Sequence, residues 1–139
     1  MSAIQKEHIL VVIADQQIYL LLERVLKPAG YSLAHCTDRL SAQKELAKGG
    51  IALSIVGEKL ADGSGMEYAA EVQQRFPAIP LIFFGHHDSV EMVKRALRMG
   101  ASDFLCLPLK PEDILQSVRN SLTQARQRRD WVLLETRRA

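Results

Sequence analysis

The chain has 139 residues, enough for one domain with a substantial core. Its residues are 47% hydrophobic and 24% charged, as in ordinary soluble globular proteins, and a net charge of +2 is too small to imply a nucleic-acid partner. No apolar run is long enough to span a bilayer, the opening MSAIQKEHILVVIAD lacks a signal-peptide cleavage site, and Cys36 and Cys106 lie in apolar runs like reduced thiols, so the expected location is cytoplasmic with no membrane partner.

Short apolar runs alternate with longer amphipathic stretches. His8 to Ile13 is a β-branched and aliphatic run, as in a buried parallel strand. Asp15 sits at a helix N-cap position, and Ile18, Leu21, Leu22, Val25 and Leu26 recur at helical spacing, predicting a helix over Gln16 to Ala29 that Pro28 and Gly30 end. Tyr31 to Cys36 reads as a second strand. Thr37 or Asp38 can cap a second helix, which Gly49-Gly50 terminates. Ile51 to Val56 is a third strand, followed by a loop from Gly57 to Ser64 and a helix from Gly65 to Phe76. Pro80 to Phe84 is a fourth strand. Ser89 to Met99 is a fourth helix, capped by Asp88 or Ser89 and closed by Gly100. Ser102 to Leu107 is a fifth strand, and Pro111 starts a fifth helix at a position where proline is tolerated.

Five βα units with short loops predict an α/β fold: a doubly wound, five-stranded parallel sheet with right-handed crossovers and helices on both faces. The working site of such a sheet lies at the carboxyl ends of its strands, here Ile13-Ala14-Asp15, Val56-Gly57-Glu58, Phe84-Gly85-His86 and Leu107-Pro108. The last helix is longer than the domain needs. Ile114, Leu115, Val118 and Leu122 can cover the sheet, but the pattern continues through Ala125, Trp131, Val132, Leu133 and Leu134 among five arginines. A helix from Glu112 to about Arg137 is roughly 40 Å long, so its second half should project. Residues 1–122 are therefore expected to form the domain, and 123–139 an extension of the last helix.

The chain resembles a response-regulator receiver domain over about residues 8 to 122. The resemblance is carried by HILVVIADQQIYLLLERVLKPAGY, by DGSGME after the third strand, by IPLIFFG, and most specifically by RALRMGASDFLCLPLKPEDIL. It implies a flavodoxin-like arrangement and a role in two-component signal transduction. The family's chemistry uses two acidic residues that hold magnesium, an aspartate that accepts the phosphoryl group, a hydroxyl residue and a lysine that contact its oxygens. The resemblance assigns these positions to Ile13 and Ala14, Gly57, Gly85 and Leu107, none of which carries the required group. It also makes Phe104 the counterpart of the family's switch aromatic, and implies a cis bond at Leu107-Pro108.

Other candidates have plainer readings. Asp15 survives beside the lost acidic pair, but its simpler role is a helix cap. Lys59 can fold into the vacated pocket or pair with Asp15 or Glu58; a solvated lysine is the simpler reading. His86-His87-Asp88 suggests a metal site, yet adjacent histidines seldom converge, and a polar turn suffices. Asp62, Gly63, Ser64 and Gly65 could cradle a phosphate at a helix start, or form a flexible turn. Cys106 within Leu105-Cys106-Leu107 reads as an inert core thiol rather than a redox sensor. Phe104 is either locked in one rotamer or seated inward over Gly85. The arginines of the last helix alternate with Asp130 and Glu135, which describes a solvated face better than a nucleic-acid grip.

The expected protein is a pseudo-receiver: a non-phosphorylatable, phosphorylation-independent regulatory and interaction module, not an enzyme, with no metal and no cofactor. Its residual pocket would be made by Asp15, Glu58, Lys59, Phe104 and Pro108. It is expected to form a homodimer through the fourth-helix, fifth-strand and fifth-helix face and the C-terminal helix, and to connect to an output domain in a longer chain. The alternative is a sensor that binds a small anion or nucleotide in the vacated pocket.

Overall fold

The computed structural model describes residues 6–86 and 90–138. The elements run β1 (His8–Val12), α1 (Gln16–Leu26), β2 (Ser32–Cys36), α2 (Arg39–Ala47), β3 (Ile51–Gly57), β4 (Lys59–Leu60), β5 (Gly63–Ser64), α3 (Gly65–Arg75), β6 (Leu81–Gly85), α4 (Val90–Arg98), β7 (Asp103–Cys106) and α5 (Pro111–Arg138). The main sheet has five parallel strands in the order β2-β1-β3-β6-β7, as the alternation of apolar runs and amphipathic stretches predicts.

Local chemistry explains most element ends. The Asp15 carboxylate accepts from the backbone N–H groups of Gln17 and Ile18, at 2.9 and 3.3 Å, and so caps α1. That helix stops at Leu26, three residues short of the expected Ala29, because Pro28 has no N–H to donate and its ring crowds the carbonyl four residues back. Asp38, not Thr37, caps α2 by accepting from Ser41 N–H at 2.7 Å. Pro80 cannot donate, so β6 begins at Leu81, although the Pro80 carbonyl still accepts from Ser54 N–H. Asp88 and Ser89, the expected caps of α4, lie outside the described residues.

The segment expected as an open loop from Gly57 to Ser64 contains a second, two-stranded antiparallel sheet. Lys59 pairs with Ser64 and Leu60 with Gly63. Asp62 at its turn accepts from Arg39 N–H at 2.8 Å, which ties the hairpin to the start of α2.

The core has two parts, one on each sheet face. On the α1 and α5 side, Ile9, Val11, Ile13, Leu22, Ile55, Phe84 and Val118 pack together. On the other side, Leu10, Val12, Val56, Tyr68, Val72 and Phe83 do so. Each such side chain contributes about 1.5–3 kcal/mol on full burial. The α5 stripe divides as the sequence predicts. Ile114, Val118, Leu122 and Ala125 are buried, whereas Trp131, Val132, Leu133 and Leu134 are 61%, 63%, 59% and 47% exposed.

Two tyrosines sit in this core with shifted acidities. Burial pushes the Tyr19 phenol up to about 12, aided by its hydrogen bond to the Glu23 carboxylate, and burial raises Tyr68 as well. The folded chain therefore keeps protons that the unfolded chain loses above the ordinary value of 10. This contribution to stability is complete below that value and is lost as pH rises through the folded values. Absorbance titration should show two late-ionising phenols, one removed by Tyr19→Phe and the other by Tyr68→Phe. Urea midpoints should fall between about pH 10 and about pH 12.

Candidate functional site

Parallel register brings the strand ends together. Val12 lies beside Val56, Val56 beside Phe83, and Gly57 beside Phe84. Beyond them is a cleft of about 300 Å³ lined by Ile13, Ala14, Asp15, Ile18, Gly57, Glu58, Lys59, Phe84 and His86. Three of the five positions singled out by the family resemblance, Ile13, Ala14 and Gly57, therefore line one cleft with Asp15, Glu58 and Lys59. Gly85 and Leu107, and the expected pocket residues Phe104 and Pro108, are not among its lining residues.

The floor of the cleft is apolar. Ile13 and Phe84 are buried members of the α1–α5 core. A β-carbon on Gly57 would lie 2.8 Å from Phe84 Cε1 and 3.3 Å from Ile13 Cγ1, so the two side chains close over the space that a residue at this position would need. Ile13 is also held through its main chain. Its N–H donates to the Cys36 carbonyl at 2.9 Å, and its carbonyl accepts from His35 Nε2 at 2.9 Å. The His35 ring stacks on Tyr19 with centroids 4.0 Å apart. Leu107 packs against the same cluster, and its N–H donates to the Gly85 carbonyl. The Leu107-Pro108 bond is cis, as the resemblance implied.

Glu58 has a role that sequence reasoning missed. Its carboxylate extends from the end of β3 across to the end of β6. A β-carbon on Gly85 would overlap Glu58 Oε1, and would lie 3.1 Å from Phe104 Cζ. Glu58 Oε1 accepts from His86 N–H at 3.1 Å, and Oε2 lies 3.6 Å from His86 Nδ1. Phe104 is half-buried, packs at a tilt against Phe83 and points its ring tip at Gly85, the inward of the two expected placements. The space left by the missing side chain at Gly85 is thus filled from two sides. A glycine at a strand end, with a glutamate one residue past the neighbouring strand's end, was the available signal.

Other candidates separate. Lys59 is exposed and makes no ion pair with Asp15 or Glu58 among the described residues. The Asp62 to Gly65 segment forms the turn and second strand of the β4–β5 hairpin and the start of α3. Ser64 caps α3 by accepting from Glu67 N–H, and Gly65 N–H donates to the Glu58 carbonyl at 2.7 Å. Cys106 is half-buried, not a core thiol, because β7 is an edge strand. It lines a groove of about 470 Å³ between β7 and α5, beside Asp103, Lys110 and Ser117. Among the described residues no three His, Cys, Asp or Glu side chains are placed to hold a metal ion. His87 and Asp88, of the candidate His86-His87-Asp88 cluster, lie outside the described residues.

The Glu58 contact generates a test. Gly85→Ser places atoms where the Glu58 carboxylate now lies and should displace it. His86 N–H then loses its acceptor, and its hydrogen exchange should quicken about tenfold. Glu58→Ala should quicken the same amide without the packing cost of the serine. Unchanged exchange in both variants would show that Glu58 does not hold this loop.

The comparisons agree with this geometry. The family model for the response regulator receiver domain matches residues 9–119. The swarming motility regulation protein RssB of Serratia marcescens is 30% identical over 112 residues, covering 81% of this chain and 51% of that protein. The putative two-component response regulator-like APRR4 of Arabidopsis thaliana is 28% identical over 133 residues, covering 94% of this chain and 45% of that protein. The chain thus spans about half the length of the curated relatives it matches. Among solved structures, a CheY-like receiver domain from Methanospirillum hungatei superimposes with a TM-score of 0.82 at 21% identity, covering 89% of this chain and 99% of that one. NtrX from Brucella abortus does so with a TM-score of 0.87 at 23% identity, covering 94% of this chain and 30% of that one. The chain belongs to the response-regulator receiver family.

Proposed function

We propose that this domain regulates without taking up a phosphoryl group: a pseudo-receiver, not an enzyme, that works in the cytoplasm by holding one conformation and by binding partners. The observation that carries this reading is Gly57. It offers no side-chain oxygen at the acceptor position, and Phe84 and Ile13 crowd the space such a side chain would need. Ile13, Ala14 and Leu107 supply no carboxylate or ammonium around it. The alternative of an anion or nucleotide sensor gains nothing from the cleft, whose two carboxylates, Asp15 and Glu58, oppose an anion while Lys59 is exposed.

The interaction role rests on exposed apolar surface. Val90 and Leu97 of α4 are 64% and 51% exposed, and Trp131 to Leu134 of α5 are exposed as well. A homodimer using the α4–β7–α5 face and the end of α5 covers part of this surface. In this reading residues 1–122 are the domain, and 123–139 extend toward an output domain in a longer chain, within two-component signalling.

Incubation with acetyl phosphate and magnesium should leave the intact mass unchanged. A stoichiometric, acid-labile phosphoryl adduct would overturn the reading. Gly57→Asp alone should gain neither magnesium binding nor phosphate, and should lose about 1–3 kcal/mol of stability because Phe84 must move. Deleting residues 124–139 should leave the domain folded and reduce self-association in sedimentation. Full-length and truncated chains that both sediment as monomers over a wide concentration range would remove the dimer from the account.

A further inference from the structure

The end of α5 carries more information than its exposure. Ile114, Val118, Leu122, Ala125, Arg129, Val132 and Thr136 step by four or three residues and so fall close to one 3.5-residue seam of α5, and the first four side chains are buried. The seam open to a second helix is therefore short. It begins near Ala125 and includes Arg129 and Val132. Along it runs a cavity of about 520 Å³ between α5 and the segment linking α3 to β6, with Pro77, Ala78 and Pro80 opposite Ala125, Val132 and Leu133, and with Arg128 and Arg129 among its walls.

We propose that a second copy of this chain covers this seam with its own α5 running antiparallel. The inference rests on the dimer reading above and specifies its geometry. In a parallel pair, equivalent seam positions face each other, so Arg129 would meet the partner's Arg129. Two like charges in the only exposed stretch of the seam oppose that arrangement. An antiparallel pair sets Arg129 against the partner's Val132 instead, where the arginine stem can cover the valine. Arg128 and Glu135 lie seven residues apart, on one edge of the helix beside the seam. Reversing the partner brings Arg128 against the partner's Glu135, and two-fold symmetry repeats the pair. No ion pair engages Arg128, Arg129 or Glu135 within the chain among the described residues, whereas Arg126 is already held by Glu7. The partner's helix end then runs toward the cavity walled by Pro77, Ala78 and Pro80. Trp131 and Leu134 face away from this seam and take no part in it.

The test is a charge-swap cycle on the full chain, read as the self-association constant from sedimentation at low salt, with circular dichroism confirming the fold of each variant. Arg128→Glu and Glu135→Arg should each weaken association threefold to tenfold, because each sets like charges across the pair. The double variant Arg128→Glu/Glu135→Arg should return to within about threefold of the parent. A double variant no tighter than the weaker single variant would overturn the antiparallel pairing while leaving a dimer in place. A parent chain that stays monomeric over the whole concentration range would overturn both this pairing and the dimer reading on which it rests.

Discussion

The backbone passes unusually close to itself where β3 hands over to α3, and the arrangement of the strand ends depends on that approach. A β-carbon on Gly65 would overlap the Gly57 carbonyl oxygen, so only glycine fits the first position of α3. The hydrogen bond from Gly65 N–H to the Glu58 carbonyl closes the loop at 2.7 Å. With both ends of the segment fixed, the residues between them must turn as the β4–β5 hairpin, and Glu58 is left at the β3 end with its side chain aimed along the sheet toward β6. The position of the Glu58 carboxylate over Gly85 is thus a consequence of the backbone geometry between Gly57 and Gly65, and its 3.6 Å approach to His86 Nδ1 follows from it.

Filling a strand-end cleft with Ile13, Phe84 and Leu107 changes its energetics. Clustered carboxylates at this end of a sheet repel one another and favour the folded state only when a cation neutralises them. Apolar side chains in the same places extend the core to the rim and need no cation. The remaining carboxylates are each satisfied locally. Asp15 takes two N–H groups of the first turn of α1, where the helix dipole also favours it. Glu58 takes the His86 N–H.

How much of this was legible depended on what each feature is made of. The five main strands and five helices were readable because their apolar periods differ and because capping and breaking residues, such as Asp15, Asp38, Pro80 and Gly100, mark the boundaries. The divided stripe of α5 was readable for the same reason. The β4–β5 hairpin was not. Its strands are two residues long, too short to show any period, and they are held by Asp62 bonding to α2, a contact between residues 23 apart. The bridge from Glu58 to Gly85 was hidden in the same way, since it joins two strand ends that only the sheet order brings together. Cys106 was misplaced because an apolar tripeptide cannot reveal that its strand lies at the sheet edge.

The cleft and the long helix belong to one packed body. Ile13 and Phe84, which wall Gly57, share a contiguous core cluster with Leu107 at the end of β7 and with Ile114, Val118 and Leu122 of α5. Phe84 also borders the cleft, so a displaced ring can move either into that space or against the rest of the cluster. The far end of this cluster is the face on which α5 rests. The buried length of α5 ends near Ala125, where the exposed stretch begins. A shift in how α5 sits on the sheet is then read out at that point as a change in the direction of a stiff helix. At about 1.5 Å per residue, the stretch of α5 from Ala125 to Arg138 forms a lever of roughly 20 Å. A tilt too small to disturb the core at its pivot moves the tip of such a lever by a distance comparable with a side chain.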